Sequence, residues 1–243
     1  MDARPKISAI IPVFGHEAGI IPLVEKLKKQ TIPPSEIILV DSSPSSWTPP
    51  EGTVYVKLEK NLGESVDYNE GVNRASGEYL LFLQQDSYPE NENGIETLLQ
   101  HMDDQTVAVT SMVHLPKELW DGYGFWGKVL MLRWVGDVKQ GVSNKFDLFR
   151  RKTFLEVGKY DSDHFRTTGH DIDLCIRLAG KGLVKTISYR AIHYHHQNTK
   201  TSVNYVIKKH YNHAMSGGVL IRRWGFKVVK APYAKEVSQH KTK

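Results

Sequence analysis

The chain has 243 residues, a length that predicts one domain, with two small domains as the alternative. Hydrophobic residues make up 40% and charged residues 24%, a composition that excludes an intrinsically disordered chain. The formal net charge of +5 favours an anionic ligand or surface. The basic residues cluster towards the C-terminus rather than along one helix with interleaved aromatics, so no nucleic-acid partner is expected.

The first part of the chain alternates short apolar runs with helical patterns. Its β-branched apolar runs predict strands, and its apolar residues three or four positions apart predict helices. Strand, helix and strand follow one another within about 40 residues, so the strands are expected to be parallel and to end at one edge of a sheet, where ligands bind. The predicted strands are 7–14, 36–40, 54–58 and 78–83, and the predicted helices are 20–30 and 65–75.

The second part of the chain is less regular. A helix is predicted at 94–102 and a strand at 106–113, before an aromatic-rich stretch, 116–141, whose lack of periodicity predicts a variable loop or short helices. The remaining predicted elements are strands at 145–150 and 185–194 and helices at 151–157 and 171–180. Together these patterns predict an α/β fold.

The single cysteine, Cys175, excludes an internal disulfide and a cysteine-rich zinc site. This agrees with a reducing compartment, and the cytoplasm is the expected location. No N-terminal run has the pattern of a signal peptide, and no window approaches ~18 uninterrupted apolar residues. No membrane-spanning segment is therefore expected.

Three acidic residues fall at the ends of predicted elements. Asp41 and Asp86 follow predicted strands, and Asp171 begins a predicted helix. Two carboxylates at the same sheet edge can hold a ribose and a divalent cation. The alternative for each residue is a turn or helix-capping role.

Several motifs in order resemble the family 2 glycosyltransferases, over residues 6 to 212. They are ISAIIPVF at 7–14, LVDSS at 39–43, and an N-x-G, N-x-G, A-x-G-E-Y series from Asn61 to Tyr79. The resemblance implies a GT-A fold, with a Rossmann-like mixed, mostly parallel sheet flanked by helices. It also implies one domain, 1–243, with a nucleotide-sugar half at about 1–113, an acceptor-binding and catalytic half at about 114–212 and a basic C-terminal segment at 213–243.

The resemblance implies a nucleotide-sugar site built from the first half. In this family the end of the first strand contacts the nucleobase, and the aspartate of the LVDSS element contacts the base or the ribose. Carried over position by position, the implied nucleotide-sugar-binding residues are Pro12, Phe14, Asp41, Asn61, Gly63, Asn69 and Gln85.

The family's metal motif, which usually reads D-x-D or D-D-D, is altered in this chain. It reads Gln84-Gln85-Asp86, so that Asp86 matches the last carboxylate, which implies Mn²⁺ or Mg²⁺ as cofactor. A neutral amide oxygen is a weaker ligand than a carboxylate, so metal affinity is expected to be lower or more dependent on the nucleotide. The alternative is that Gln84 and Gln85 only close a turn. His195, in a segment resembling A-x-V-x-H, is the second implied metal ligand, with ordinary hydrogen bonding as its alternative.

The segment GHDIDLCIR at 169–177 resembles the family's G-E-D-x-D-L-C-x-R and implies that Asp171 is the catalytic base. The alternative for Asp171 is a carboxylate that binds free amides at a helix N-terminus. His170 replaces the usual Glu, is a candidate acceptor contact, and can tune Asp171 electrostatically. Asp173 is expected to point away from Asp171.

Aromatic residues between the metal motif and the base are candidate acceptor platforms: Trp120, Tyr123 and Trp126. The alternatives are an apolar cover on the core or an interface with a partner. A third alternative is that Phe125 to Val135, with Lys128 and Arg133, lies on a membrane that carries a lipid-linked acceptor.

The resemblance predicts an inverting, metal-assisted transfer of a sugar from a nucleotide diphosphate sugar to a hydroxyl of a glycan or lipid-linked acceptor. A sugar nucleotidyltransferase is one alternative, but residues 14–19 lack the basic, glycine-rich phosphate loop it needs. A nucleotide-sugar-binding relative without turnover is the other, favoured by Gln84, Gln85 and His170.

Overall fold

The computed structural model describes residues 5–15, 19–132, 135–138, 141–194, 202–228 and 235–236. The strands are β1 (Ile7–Val13), β2 (Glu36–Asp41), β3 (Val54–Lys57), β4 (Tyr79–Phe82), β5 (Ser87–Pro89), β6 (Thr106–Leu115), β7 (Gly136–Val138), β8 (Asp147–Arg150), β9 (Leu183–His193) and β10 (Lys235–Glu236). The helices are α1 (Ile20–Lys28), α2 (Glu64–Arg74), α3 (Gly94–Gln100), α4 (Lys117–Asp121), α5 (Phe125–Met131), α6 (Arg151–Glu156), α7 (His170–Ala179) and α8 (Val203–Trp224). Every element predicted between residues 7 and 194 is present within one or two residues of its predicted ends.

The sheet is mixed, with the strand order β10-β9-β6-β8-β4-β1-β2-β3. As predicted, β1 to β4 are parallel, since β1 pairs with both β2 and β4 and β2 pairs with β3. Strand β8 runs antiparallel to its neighbours β4 and β6, and β6 is parallel to β9. The carboxyl ends of β1, β2 and β4 therefore meet at one edge, where the loops that follow them come together.

Both faces of the sheet are covered by helices, which explains why β1 is apolar throughout. Ile11 and Val13 of β1 belong to a core cluster that includes Leu23 of α1, whereas Ile10 faces Val72 of α2 in a second cluster. Parallel strands buried on both faces are near-continuous apolar runs. This packing fixes the position of the sheet edge relative to α2 and α7.

The long helix α8 lies in a region for which the sequence predicted no element. It begins at Ser202, whose side chain accepts a hydrogen bond from the Tyr205 amide. Gly217 and Gly218 in its interior weaken the helical pattern, since a glycine costs about 1 kcal/mol relative to alanine there. Among the described residues, no helix is long and apolar enough to cross a membrane.

Candidate active site

A cleft of about 980 Å³ lies at the carboxyl edge of β1 and β4. Small-molecule sites commonly fall between about 300 and 1,000 Å³. The cleft brings together the loops after β1 and β4, the N-terminus of α7 and one side of α8. The predicted site residues that line it are Pro12, Phe14, Asn61, Gln85, Asp86, His170 and Asp171.

The two glutamines of the altered motif hold the loop after β4 in place. Gln85 Oε1 accepts from the Phe14 amide at 2.9 Å, and Gln85 Nε2 donates to the Phe14 carbonyl at 3.2 Å. Gln84 Nε2 donates to Glu64 Oε1 at 2.7 Å. The side-chain amide of Gln85, which lines the cleft, is thus joined to the β1 loop; its contact with a nucleotide sugar stays a prediction.

Asp86 lies beside His193, and both side chains line the cleft. Strand β5 begins at Ser87 and pairs with His193 of β9, which brings His193 Nε2 to 3.2 Å from Asp86 Oδ1. Burial lowers the pKa of His193, and the charge of Asp86 opposes that shift only in part. The imidazole is therefore held towards its neutral form, which is the metal-binding form.

Asp86 and His193 form a neighbouring pair of cleft groups whose chemistry suits a divalent cation. A carboxylate oxygen and a neutral imidazole are both ligands for Mn²⁺. His195, the predicted second ligand, lies outside the described residues. Within the described ranges no three His, Cys, Asp or Glu side chains form a group that could hold a metal ion. These two side chains could supply two ligands to a divalent cation, and the remaining ligands would have to come from elsewhere.

Asp171 lies in the first turn of α7 and lines the cleft. Gly169, two residues before Asp171, has φ +83°. A Cβ atom at this position would lie 3.1 Å from side-chain atoms of Phe165 and Ser216. This glycine lets α7 begin close to α8. The Asp171 side chain is half-buried, and its Oδ1 accepts from the Ile172 amide at 2.9 Å.

Asp173 points away from the cleft, as predicted. Its carboxylate is fully buried and accepts hydrogen bonds from Arg177 at 2.8 Å, Arg223 at 3.0 Å and the Trp224 indole at 2.9 Å. This buried carboxylate joins α7 to the C-terminal end of α8. It therefore supports the wall of the cleft without facing it.

His170 is buried behind Asp171. Its Nε2 lies 3.2 Å from the Asn144 side-chain amide and 3.9 Å from Glu64 Oε2, and its ring packs edge-on against Tyr160. Within the described part of the chain, His170 Nδ1 has no hydrogen-bond partner. Glu64 also lines the cleft and was not predicted, although its place directly after the N-x-G motif at a helix N-terminus is a signal for it.

Asp41 lies at the end of β2, but its carboxylate is fully buried rather than in the cleft lining. It accepts from the Ser43 amide at 2.8 Å, the Tyr55 hydroxyl at 2.5 Å and Lys57 Nζ at 2.9 Å. Burial raises the pKa of Asp41, but these hydrogen bonds outweigh burial and leave the pKa lowered. Of the three aspartates expected to converge, the cleft receives Asp86 and Asp171.

Asp67, which the sequence did not single out, lines the cleft near Asn61. Burial raises its pKa to about 7; the hydrogen bond from Ser42 opposes this, and the charges of Glu64 and Asp41 add to it. Its Oδ1 is buried without a hydrogen-bond partner among the described residues. The position one helical turn after Gly63 explains why this side chain reaches the cleft.

Gly63 and Asn69 shape the chain rather than line the cleft. Gly63 has φ +112°, and a Cβ there would lie 2.6 Å from the Arg166 carbonyl oxygen. Asn69 donates to the Tyr160 carbonyl at 2.9 Å and accepts from the Tyr160 amide at 3.1 Å. Both residues join α2 to the segment that leads into α7.

A sequence model described as glycosyl transferase family 2 matches residues 8–158. This match covers more than half of the chain. The chain belongs to glycosyl transferase family 2. The predicted resemblance is confirmed, although Asp171 lies beyond the matched region.

Two relatives of this family 2 chain illustrate the similarity. The O-antigen chain rhamnosyltransferase WbaN of Salmonella anatum is 28% identical over 178 residues, covering 64% of this chain and 56% of that protein. The uncharacterized glycosyltransferase YwdF of Bacillus subtilis (strain 168) is 34% identical over 89 residues, covering 34% of this chain and 33% of that protein. The chain thus spans about a third to just over a half of the length of these relatives.

Solved structures support the fold of this family 2 member. The mannosyltransferase PcManGT from Pyrobaculum calidifontis, in complex with GDP-Man and Mn²⁺, has a TM-score of 0.62 at 13% identity, covering 91% of this chain and 65% of that one. GalNAc-T7 with UDP, GalNAc and Mn²⁺ has a TM-score of 0.62 at 15% identity, covering 96% and 52%. The predicted GT-A fold is confirmed.

The aromatic residues expected at the acceptor side of this glycosyltransferase fold do not line the cleft. Tyr123 is buried in a small cluster with Leu115 and Val206. Trp120 is half-buried, with Lys128 Nζ 5.2 Å from its ring centre, and Trp126 packs edge-on against Phe125. The positions of Tyr123 and Trp120 correspond to the alternative of an apolar cover, whereas Trp126 is partly exposed.

Proposed function

We propose that this chain is an inverting glycosyltransferase that moves a sugar from a nucleotide diphosphate sugar to a hydroxyl group. The observation that carries the proposal is the presence of Asp86 and Asp171 in one cleft, formed by the carboxyl edge of the sheet and the N-terminus of α7. Ligands of open α/β sheets bind at this edge. Membership of glycosyl transferase family 2 supports the same reaction.

The donor's diphosphate is assigned to the centre of the cleft. Asp86 and His193 would hold a Mn²⁺ or Mg²⁺ ion together with the diphosphate, and that ion would supply positive charge opposite the departing phosphate. Lys145 and Lys209 also line the cleft and attract the anionic donor. The structures of PcManGT and GalNAc-T7 in complex with Mn²⁺ support a divalent cation.

The nucleoside is assigned to the end of the cleft lined by Pro12, Phe14 and Asn61. Asp67 supplies a carboxyl group on that wall, and Asp41 lies behind it with its hydrogen bonds directed to Tyr55 and Lys57. We assign Asp41 an indirect role, because its bonds hold the carboxyl ends of β2 and β3 together. Gln85 has a comparable role through its two hydrogen bonds to Phe14.

Asp171 is assigned as the general base. Its carboxylate takes the proton of the acceptor hydroxyl, whose oxygen then forms a bond to the anomeric carbon. The bond from that carbon to the diphosphate oxygen breaks, and its electron pair leaves with the nucleoside diphosphate. Because attack and departure occur on opposite faces, the anomeric configuration inverts.

The sugar is proposed to be a hexose or deoxyhexose, and the acceptor a glycan or a lipid-linked glycan. The O-antigen chain rhamnosyltransferases of Salmonella anatum and Salmonella typhimurium support a deoxyhexose. A thermal-shift screen of uridine, guanosine and thymidine diphosphate sugars, with and without Mn²⁺, tests the proposal. Stabilisation by one nucleotide class, followed by transfer or slow hydrolysis of its sugar, supports it, and the absence of any stabilisation contradicts it.

A nucleotide-sugar-binding protein without turnover is the second candidate function. The observation that favours it is that both glutamine side chains of the altered metal motif make internal hydrogen bonds. The same screen separates the two functions. Stabilisation by a nucleotide sugar without any release of nucleoside diphosphate would support the second.

A further inference from the structure

Helix α8 has two faces of different character. One face forms a wall of the cleft, through Lys209, His213, Ser216 and Leu220. The opposite face carries a row of exposed apolar side chains. This outer face consists of Val203, Ile207, Tyr211, Met215 and Ile221, all exposed to solvent.

The outer face is a continuous stripe rather than a scatter of residues. At 100° per residue its members fall within about a third of the helix circumference, and they extend for about 27 Å along the axis. Ile207 is 62% exposed, Tyr211 63% and Met215 57%. Large contiguous apolar patches on a protein surface mark sites of interaction.

Helix α5, next to α8, also exposes apolar side chains. It contacts α8, and its own side chains Phe125, Val129 and the adjacent Leu132 are exposed. Trp126 is also exposed in part and packs against Phe125. Exposed aromatic rings beside aliphatic side chains are typical of helices at a membrane–water interface.

The charges around the outer face identify its partner. Lys208 borders the stripe, and Arg222 lies within its arc near the C-terminal end of α8; both are exposed. The sequence has no acidic residue between Asp173 and Glu236. An amphipathic helix with basic flanks is attracted to anionic lipid headgroups while its apolar face enters the acyl boundary. Dimerisation through this face would instead bring the basic residues of two copies close together, which is unfavourable.

We propose that the outer face of α8 binds an anionic membrane surface. The helix would then lie in the plane of the lipid headgroups, with its other face still forming the cleft wall. This arrangement would hold the active site beside the membrane, where a lipid-linked acceptor is presented. The binding itself does not depend on the proposed transferase activity.

Vesicle co-sedimentation of the full chain without any nucleotide sugar tests the proposal. We expect binding to vesicles of phosphatidylcholine mixed with phosphatidylglycerol, weaker binding to phosphatidylcholine alone, and a decrease in binding at high salt. Failure of the wild-type chain to bind the mixed vesicles would overturn the proposal. The transferase proposal would be unaffected, because its screen uses soluble donors.

The substitution Ile207→Asp is expected to lower the vesicle partition coefficient by about tenfold or more, since it places a charge in the apolar stripe. The matched control is Ile21→Asp, the same change at a 56% exposed position on α1, which should bind as the wild type does. Met215→Asp provides a second test on the same face, and circular dichroism checks the fold of each variant. If both α8 variants bind vesicles as well as the wild type does, the proposal is overturned. It is also overturned if the wild-type chain does not bind vesicles but self-associates in light scattering, and Ile207→Asp abolishes that self-association.

Discussion

Gln85 and Phe14 hold each other in a two-way hydrogen bond across the mouth of the cleft. The Gln85 side chain accepts from the Phe14 amide at 2.9 Å and donates to the Phe14 carbonyl at 3.2 Å. The loop after β4 and the loop after β1 are therefore one unit. The middle residue of the altered metal motif thus fixes the β1 loop, whose residue Phe14 lines the cleft.

Gln85→Glu removes the donor of this pair and places a carboxylate against the Phe14 carbonyl. We expect the free energy of unfolding to fall by about 1 kcal/mol and nucleotide affinity to fall roughly fivefold. Isothermal titration of nucleotide with and without Mn²⁺ measures the affinity, and Gln100→Glu on the surface of α3 is the control. A higher Mn²⁺ affinity in Gln85→Glu would instead assign this position to the metal.

Asp67 predicts an unusual dependence of stability on pH. Its pKa is raised to about 7 in the folded chain from an ordinary value of 3.8, so the folded state binds a proton that the unfolded state releases. The folded state therefore loses stability as the pH rises from about 4, and the loss is complete above about 7. Asp67→Asn should match the wild type near pH 4 and exceed its stability by up to about 4 kcal/mol near pH 8.

Urea denaturation at several pH values measures this difference. Asp163→Asn, at an exposed position, controls for the removal of one negative charge. A difference between Asp67→Asn and the wild type that does not change with pH would contradict the assignment.

Asp173 and Asp171 are two residues apart but should respond very differently to substitution. Asp173→Ala leaves the Arg177 and Arg223 side chains without their buried partner, so we expect a loss of about 3–5 kcal/mol and detachment of the end of α8. Asp171→Ala removes a half-buried carboxylate at a helix N-terminus and should cost about 1 kcal/mol or less. Denaturation curves of the two variants provide the measurement, and equal losses would be inconsistent with this division of roles.

The metal assignment predicts that Asp86→Asn and His193→Gln have the same effect. Each should weaken the Mn²⁺-dependent part of nucleotide binding by about tenfold or more, while metal-free binding changes little. Nucleotide titrations across a range of Mn²⁺ concentrations measure this. His101→Gln, remote from the cleft, is the matched control. If the Mn²⁺ dependence of nucleotide binding is unchanged in both cleft variants, Asp86 and His193 are not the metal ligands.

The local patterns of the sequence were sufficient for the sheet and for part of the site. Buried runs such as Ile7–Val13 define the strands, and parallel pairing of β1 and β4 places their carboxyl ends at one edge whatever the details of the loops. Asp86 could be assigned to that edge because it follows a predicted strand, whereas Asp171 was assigned to the same site by the resemblance of residues 169–177 to the family's motif. Asp171 then faces the cleft and Asp173 faces α8, as helical geometry requires.

Contacts between distant segments could not be predicted from those patterns. Asp41 was expected to face the ligand, but the register of β2 against β3 brings Tyr55 and Lys57 to its carboxylate. His193 reaches Asp86 only because β5, a strand of three residues, pairs with β9. The glutamine contacts of Gln84 and Gln85 depend in the same way on the positions of α2 and the β1 loop.

The rate of sugar transfer by Asp171→Asn, with the donor and acceptor pair that the screen identifies, tests the central claim most directly. A general base in the cleft predicts a fall in turnover of about 10² to 10⁴-fold, with nucleotide affinity and stability close to those of the wild type. Turnover equal to the wild type in a folded Asp171→Asn variant would contradict the claim that this carboxylate and Asp86 form one active site.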